Sequence, residues 1–96
     1  MPLLTRISCL SDGAFLVELY KNRSLLKTAE VRVGRLYTVE PPNPQKRKHR
    51  GRTCIVLDFL RDKKLGHPFG VVVRFLDSNR RGNVDSLNEL VPVDAH

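Results

Sequence analysis

The chain has 96 residues, 41% of them hydrophobic, which predicts one domain with a small core and excludes a fully disordered protein. Its formal net charge of +7 favours polyanionic partners such as nucleic acid, anionic membranes or acidic protein surfaces. The sequence shows no apolar run near the roughly 20 residues of a membrane span and no secretory leader, so we expect a cytoplasmic protein without a membrane partner.

The first thirty residues predict a short helical extension. Ser11 or Asp12 could cap a helix from about Asp12 to Lys21, and a second short helix could span residues 23–29. Gly13 in the first turn weakens this interpretation. The alternative is a strand over residues 15–20 that turns at residues 21–23, but the apolar spacing favours the helix.

From Val31 onward the pattern is typical of β-strands. A first strand, with a bulge or sharp bend at Gly34, ends at Pro41-Pro42, because proline donates no ladder hydrogen bond. Two stronger strands are predicted over residues 52–60 and 70–76, separated by a polar turn. A short strand at 83–85, one helical turn at 86–90 and an edge strand at 91–93 follow, and residues 94–96 are expected to fray.

Alternation assigns faces to the two stronger strands. One face of each can fill an interior, and these faces comprise Val71, Val73 and Phe75 in one strand and Ile55, Leu57 and Phe59 in the other. The outer faces then hold Val56, Leu60, Val72 and Leu76, which is more apolar than solvated strands require. We expect the N-terminal helices or, alternatively, a protein partner to cover them.

Residues 41–51 contain three prolines and a basic run but no large apolar residue. They cannot be core, and we expect a loop that is mobile without a ligand and contributes little to folding.

Residues 31–93 resemble an SH3-like small barrel of the KOW or Tudor type. The resemblance rests on Gly34 and Tyr37 in the first strand, Gly51-Arg52 entering the second, and a third ending Val73-Arg74-Phe75-Leu76-Asp77. It continues through Arg81-Gly82-Asn83-Val84, the single turn at 86–90 and a closing Leu90-Val91-Pro92-Val93. It implies an SH3-like barrel over residues 31–93. The helical extension predicted for residues 1–30 lies outside the resemblance, and together the two predict a mainly β chain. Such barrels serve nucleic-acid-binding proteins, protein adaptors and enzyme subunits alike, so the fold alone does not decide function.

The sequence offers no catalytic or metal-binding pattern. His49, His67 and His96 lie in a charge run, a turn and the terminus, and neither they nor the two cysteines have metal-ligand spacing. Cys9 and Cys54 are interpreted as structural thiols. We therefore expect a non-enzymatic protein without cofactors.

Basic residues carry the functional prediction. Several cations on one loop can each meet a phosphate, and further clusters stand in two other turns. The candidate nucleic-acid-binding residues are Lys46, Arg47, Lys48, His49, Arg50, Arg52, Arg61, Lys63, Lys64, Arg80 and Arg81. Tyr37 and Phe69 could stack on a base, although packing is favoured for both. The sequence thus predicts binding of DNA or RNA through phosphates. The alternative is an interaction module, such as an accessory subunit that docks on a larger complex.

Overall fold

A computed structural model describes residues 3–93, which form eight β-strands and one 3₁₀ turn. The elements are β1 (Leu4–Ser11), β2 (Ala14–Lys21), β3 (Ser24–Arg32), β4 (Leu36–Val39), β5 (Thr53–Arg61), β6 (Pro68–Phe75), β7 (Arg81–Val84), the 3₁₀ turn (Leu87–Glu89) and β8 (Leu90–Pro92). The strands build two antiparallel sheets, one ordered β1-β2-β3 and the other β7-β6-β5-β4-β8.

The predicted N-terminal helices are wrong, because this region is the three-stranded sheet. β1 and β2 are joined by the two-residue connection Asp12-Gly13, in which Gly13 has φ +75°. Asn22 and Arg23 join β2 to β3, and both have positive φ, at 53° and 67°. The left-handed pair Asn22-Arg23 matches the twist of a tight two-residue hairpin. The alternative of a strand turning near residues 21–23 agrees with this structure.

The predicted barrel is also corrected, because the larger sheet is not closed. Pairing runs from β7 at one edge to β8 at the other, and in residues 3–93 no ladder joins these two strands. The three-stranded sheet supplies a second apolar layer instead. The Phe15 ring of β2 meets the Phe59 ring of β5 edge to face, with centroids 4.8 Å apart. Phe15, Val17 and Val31 share one buried core with residues of the five-stranded sheet, so two packed sheets replace the expected barrel wall.

The predicted inner and outer faces of β5 are correct only for the residues that follow a bulge at Leu57. Val56 pairs with Val73, but Asp58 already pairs with Val72, so Leu57 is an extra residue in the ladder. Val56 is therefore completely buried rather than on the outer face, while Phe59 stays inside. Val71, Val73 and Phe75 are buried as predicted.

The N-terminal residues pack against the inner face of the five-stranded sheet rather than the expected outer one. On the outer face Leu76 remains about half exposed.

The later elements agree with the predictions apart from their ends. The 3₁₀ turn follows Ser86, and β8 lies beside β4 at the edge of the sheet. The strand predicted from Val31 onward is wrong as one element, because residues 31–32 end β3 of the three-stranded sheet and β4 of the other sheet begins at Leu36. Gly34, with φ +86°, lies in the connection between them. Residues 94–96, predicted to fray, lie outside the described residues.

Candidate nucleic-acid interface

The loop between β4 and β5, residues 40–52 and called the long loop below, is held by its own contacts. At its base Gly51 N donates to Val39 O over 2.8 Å, and Val39 N donates to Arg52 O over 2.9 Å. The Arg50 guanidinium donates to the carbonyl oxygens of Pro41, Asn43 and Lys46, at 2.9, 2.7 and 3.0 Å. The side chain of Arg50 thus holds the loop together rather than facing a ligand. These contacts do not support the expectation that the loop contributes little to folding.

Lys46 is also used within the molecule. Its Nζ lies 2.5 Å from a carboxylate oxygen of Glu89, a residue only 3% exposed, and 3.7 Å from Asp85. The hydrogen bond to Glu89 raises the pKa of Lys46, since the bond favours the charged amine. This ion pair joins the long loop to the 3₁₀ turn. Lys48 lies 3.7 Å from Asp85, and both side chains are more than half exposed, so this second pair is weak.

Arg52 connects the long loop to the turn between β6 and β7. Its Nε and Nη2 donate to the two carboxylate oxygens of Asp77, over 3.0 and 2.9 Å. Nη2 also reaches the Ser78 hydroxyl, and the guanidinium lies 3.8 Å from the Phe75 ring centroid. The hydrogen bond from Arg52 lowers the pKa of Asp77. A bidentate pair of this kind fixes both position and orientation.

His49 fills the space beside Arg52. Its ring lies on Phe75, with centroids 4.5 Å apart, and its backbone has φ +63°. The Nδ1 atom is 3.2 Å from Arg52 Nη1. Since arginine only donates, this contact is a hydrogen bond in the neutral tautomer of His49 that carries its proton on Nε2. Burial lowers the pKa of His49, and the charges of Arg52 and Lys48 lower it further.

An open basic cleft lies at this junction. It is lined by His49, Arg52, Phe75, Ser78, Arg80, Arg81 and Gly82. Gly82 lets the Phe75 ring form its floor, because a Cβ at this position would lie 2.7 Å from that ring.

Sequence analysis missed one arginine beside the cleft. Arg74 of β6 pairs directly with Arg81 of β7, so two like charges stand opposite each other in adjacent strands. Such pairs destabilise a sheet. Among the described residues, the side-chain hydrogen bond of Arg74 is a long one, 3.5 Å from Nη1 to Asn79 Oδ1. The alternation of β6 in the sequence already placed Arg74 on the outer face. This was the signal that could have identified Arg74 as a candidate binding residue.

The predicted cluster of Arg61, Lys63 and Lys64 lies far from the cleft. β5 runs away from the basic cleft for nine residues before it reaches Arg61, a separation of about 25 Å. Lys63 and Lys64 are exposed in the connection between β5 and β6, residues 62–67, called the short loop below. The Arg61 guanidinium lies 5.5 Å from the Phe15 ring centroid and 6.0 Å from that of Phe59. The three clusters therefore do not merge into one surface.

The remaining candidates are mostly structural. Tyr37 is completely buried, and its hydroxyl donates to Glu30 O and accepts from Arg32 N. Phe69 is partly exposed. Cys54 is buried, which raises the pKa of its thiol to about 11 and leaves it unreactive at neutral pH, whereas Cys9 is exposed.

Within residues 3–93 no group of three or more His, Cys, Asp or Glu side chains could hold a metal ion, and no helix could span a membrane. His96 lies outside the described residues.

The sequence matches no protein family model, and comparison with curated proteins and with solved structures finds no match. The resemblance to KOW and Tudor barrels therefore stays a prediction. The function is argued below from the geometry of the chain itself.

Proposed function

We propose that the protein binds nucleic acid without catalysing a reaction, and that backbone phosphates enter the basic cleft. The observation that carries this proposal is the exposure of the Arg80 and Arg81 side chains and their lack of a carboxylate partner within residues 3–93. Both side chains line the cleft. Two guanidinium forks in this state suit the planar oxygens of phosphate.

The position of Arg74 supports the same proposal. Its pairing with Arg81 places like charges side by side, a cost that a bound polyanion would relieve. The Ser78 hydroxyl adds a neutral donor at the cleft. The cleft floor is the ring of Phe75, but that ring is only 2% exposed beneath Arg52 and His49. Base stacking on it is therefore not part of the proposal, and the contacts are to phosphates rather than base edges.

The test compares two double variants that remove equal charge. Arg80→Ala with Arg81→Ala changes the cleft, whereas Lys63→Ala with Lys64→Ala changes the short loop. Binding to fluorescent DNA and RNA oligonucleotides is measured by anisotropy at several salt concentrations. We expect the cleft variant to lose affinity for every sequence, with a salt slope reduced by about two phosphate contacts, and the lysine variant to change little. Equal losses would mean that only net charge matters, and unchanged binding by the cleft variant would contradict the proposal.

A second candidate function is the interaction module, favoured by the leucines of the three-stranded sheet. Leu4, Leu10, Leu25 and Leu26 are each at least half exposed, more apolar surface than an isolated sheet needs. This candidate predicts a protein partner that is recovered in a pull-down after nuclease treatment. Loss of the partner with nuclease would assign the association to nucleic acid instead.

A further inference from the structure

The outer edge of β1 differs from the three other sheet edges. β7 is four residues long and carries Arg81, and β8 is three residues long and contains Pro92. β3 carries several charges, and its Lys27 Nζ donates to Asn88 O in the 3₁₀ turn. Short length, charge, proline and cover are the usual ways in which an edge avoids pairing. β1 has eight residues and a single charge, Arg6, and no strand of residues 3–93 pairs with its outer side. Its ladder with β2 is regular from Leu4 to Cys9, and a bulge at Leu10 lies beyond this stretch.

We propose that two copies of the chain pair through this edge, antiparallel and centred on Ile7, so that a six-stranded sheet crosses the dimer. In this register Leu4 stands opposite Leu10 of the second copy, Thr5 opposite Cys9, and Arg6 opposite Ser8. Side chains that stand opposite each other then share a face of the continuous sheet.

The exposed leucines select this register. Leu4 is 66% exposed and Leu10, the bulge residue, is 50% exposed. Both lie three residues from Ile7, at the two ends of the regular stretch, so each lies beside its counterpart in the second copy. A pairing centred on Arg6 would place two arginines opposite each other. A pairing centred on Ser8 would put Arg6 opposite Leu10 and leave Leu4 uncovered. Only the Ile7 centre buries both leucines without opposing charges.

The contacts of Arg6 and Ile7 within each copy are compatible with this arrangement. Arg6 stands opposite Glu18 of β2, so its charge has a neighbour of opposite sign within the same sheet. Ile7 packs against the core but stays partly exposed. The Ile7 side chains of the two copies would meet at the two-fold axis and cover this remaining apolar surface.

A charge swap at the leucines tests the pairing. Leu4 and Leu10 are six residues apart on one strand, about 20 Å, and cannot contact each other within a chain. The variant with Leu4→Lys and Leu10→Lys places like charges opposite each other between copies, whereas Leu4→Lys with Leu10→Glu places opposite charges there. Sedimentation equilibrium measures the oligomeric state of both variants and of the unchanged chain over a range of concentrations.

We expect the unchanged chain to dimerise weakly, since one strand pair is a small interface. The double-lysine variant should be monomeric, and the lysine–glutamate variant should dimerise and weaken with salt. Circular dichroism checks that both variants are folded. A monomeric unchanged chain at every concentration, or two variants that associate equally, would overturn the proposal.

Disulfide trapping tests the register separately. Thr5→Cys places a thiol opposite Cys9 of the second copy, within reach of a disulfide between adjacent strands. Oxidation of this variant should give a covalent dimer, and Thr5→Cys with Cys9→Ser should not. A covalent dimer of the unchanged chain through Cys9 alone, formed as readily as that of the variant, would place the two-fold axis at Cys9 and overturn the Ile7 register.

Discussion

The long loop and the short loop both carry basic residues, but these residues make very different contacts. In the long loop Lys46 pairs with Glu89, Arg50 binds three carbonyl groups and Arg52 binds Asp77. In the short loop Lys63 and Lys64 are exposed and have no carboxylate within ion-pair distance in residues 3–93. The basic residues of the long loop therefore mostly stabilise the fold, whereas Lys63 and Lys64 of the short loop are solvated.

This difference shows that a run of basic residues does not measure the charge available to a ligand. The long loop contacts the 3₁₀ turn at Glu89 and the β6–β7 turn at Asp77, and both turns supply a carboxylate to its basic residues. The short loop extends beyond the end of β5 and β6 and meets neither. In the proposed function, the charge offered to phosphate comes from Arg80 and Arg81, while Arg52, paired with Asp77, and His49 line the same cleft.

Lys46→Ala is expected to have the largest effect. It leaves the Glu89 carboxylate buried without its cation, a mechanism that commonly costs several kcal/mol. Because the Lys46 side chain is about a third exposed, we expect a loss of about 2 kcal/mol in the free energy of unfolding, or about 10 °C in Tm.

Thermal and urea unfolding measure this loss. The matched control, Lys63→Ala, should stay within about 0.5 kcal/mol of the unchanged chain. Adding Glu89→Gln to Lys46→Ala should recover part of the loss, because the amide needs no counter-charge. Equal stability of Lys46→Ala and Lys63→Ala would mean that lysines of the two loops do not differ in their contribution to the stability of the fold.

Asp77→Asn is expected to have an intermediate effect, on binding. It releases the Arg52 fork from its carboxylate and frees that guanidinium for a phosphate at the cleft. Affinity for oligonucleotides should rise by about threefold to tenfold, with one further phosphate contact in the salt slope. Asp62→Asn makes the same change of charge in the short loop and should leave the slope unaltered. If the two variants behave alike, Arg52 does not take part in binding.

Much of the five-stranded sheet could be predicted, because its strands are short β-branched runs bounded by turn residues. The N-terminal sheet could not be assigned by apolar spacing. Leu16 and Tyr20 on one face of β2, and Phe15, Val17 and Leu19 on the other, are all apolar or aromatic. Near-continuous hydrophobicity fits a helix and a strand equally. The Asp12-Gly13 pair is a strong hairpin signal, and it should have outweighed the spacing.

The site was harder to predict than the fold for two physical reasons. The bulge at Leu57 moves Val56 into the core, and a single inserted residue reverses the faces of a strand without a signature in composition. The partners of the long loop are also distant in sequence, since Glu89 lies 43 residues from Lys46. The alternation of apolar and polar residues correctly identified the buried face of β6. No local sequence pattern shows which arginines will be engaged by ion pairs and hydrogen bonds within the folded chain.

The smallest expected effect is the pH dependence that His49 gives the long loop. Burial lowers the pKa of His49, as do Arg52 and Lys48, while the more distant Asp85 and Glu89 act in the opposite direction. The unfolded chain therefore binds a proton at higher pH than the folded one. The stability that neutral His49 contributes is complete above pH 6.5, the ordinary value, and is lost as the pH falls below it towards the lowered pKa. Urea unfolding of the unchanged chain and of His49→Gln, measured from about pH 7.5 to pH 5, should show a steeper loss on acidification for the unchanged chain. The control, His67→Gln in the short loop, should keep that steeper loss. Parallel curves for the unchanged chain and His49→Gln would mean that the imidazole is already solvated and does not accept from Arg52.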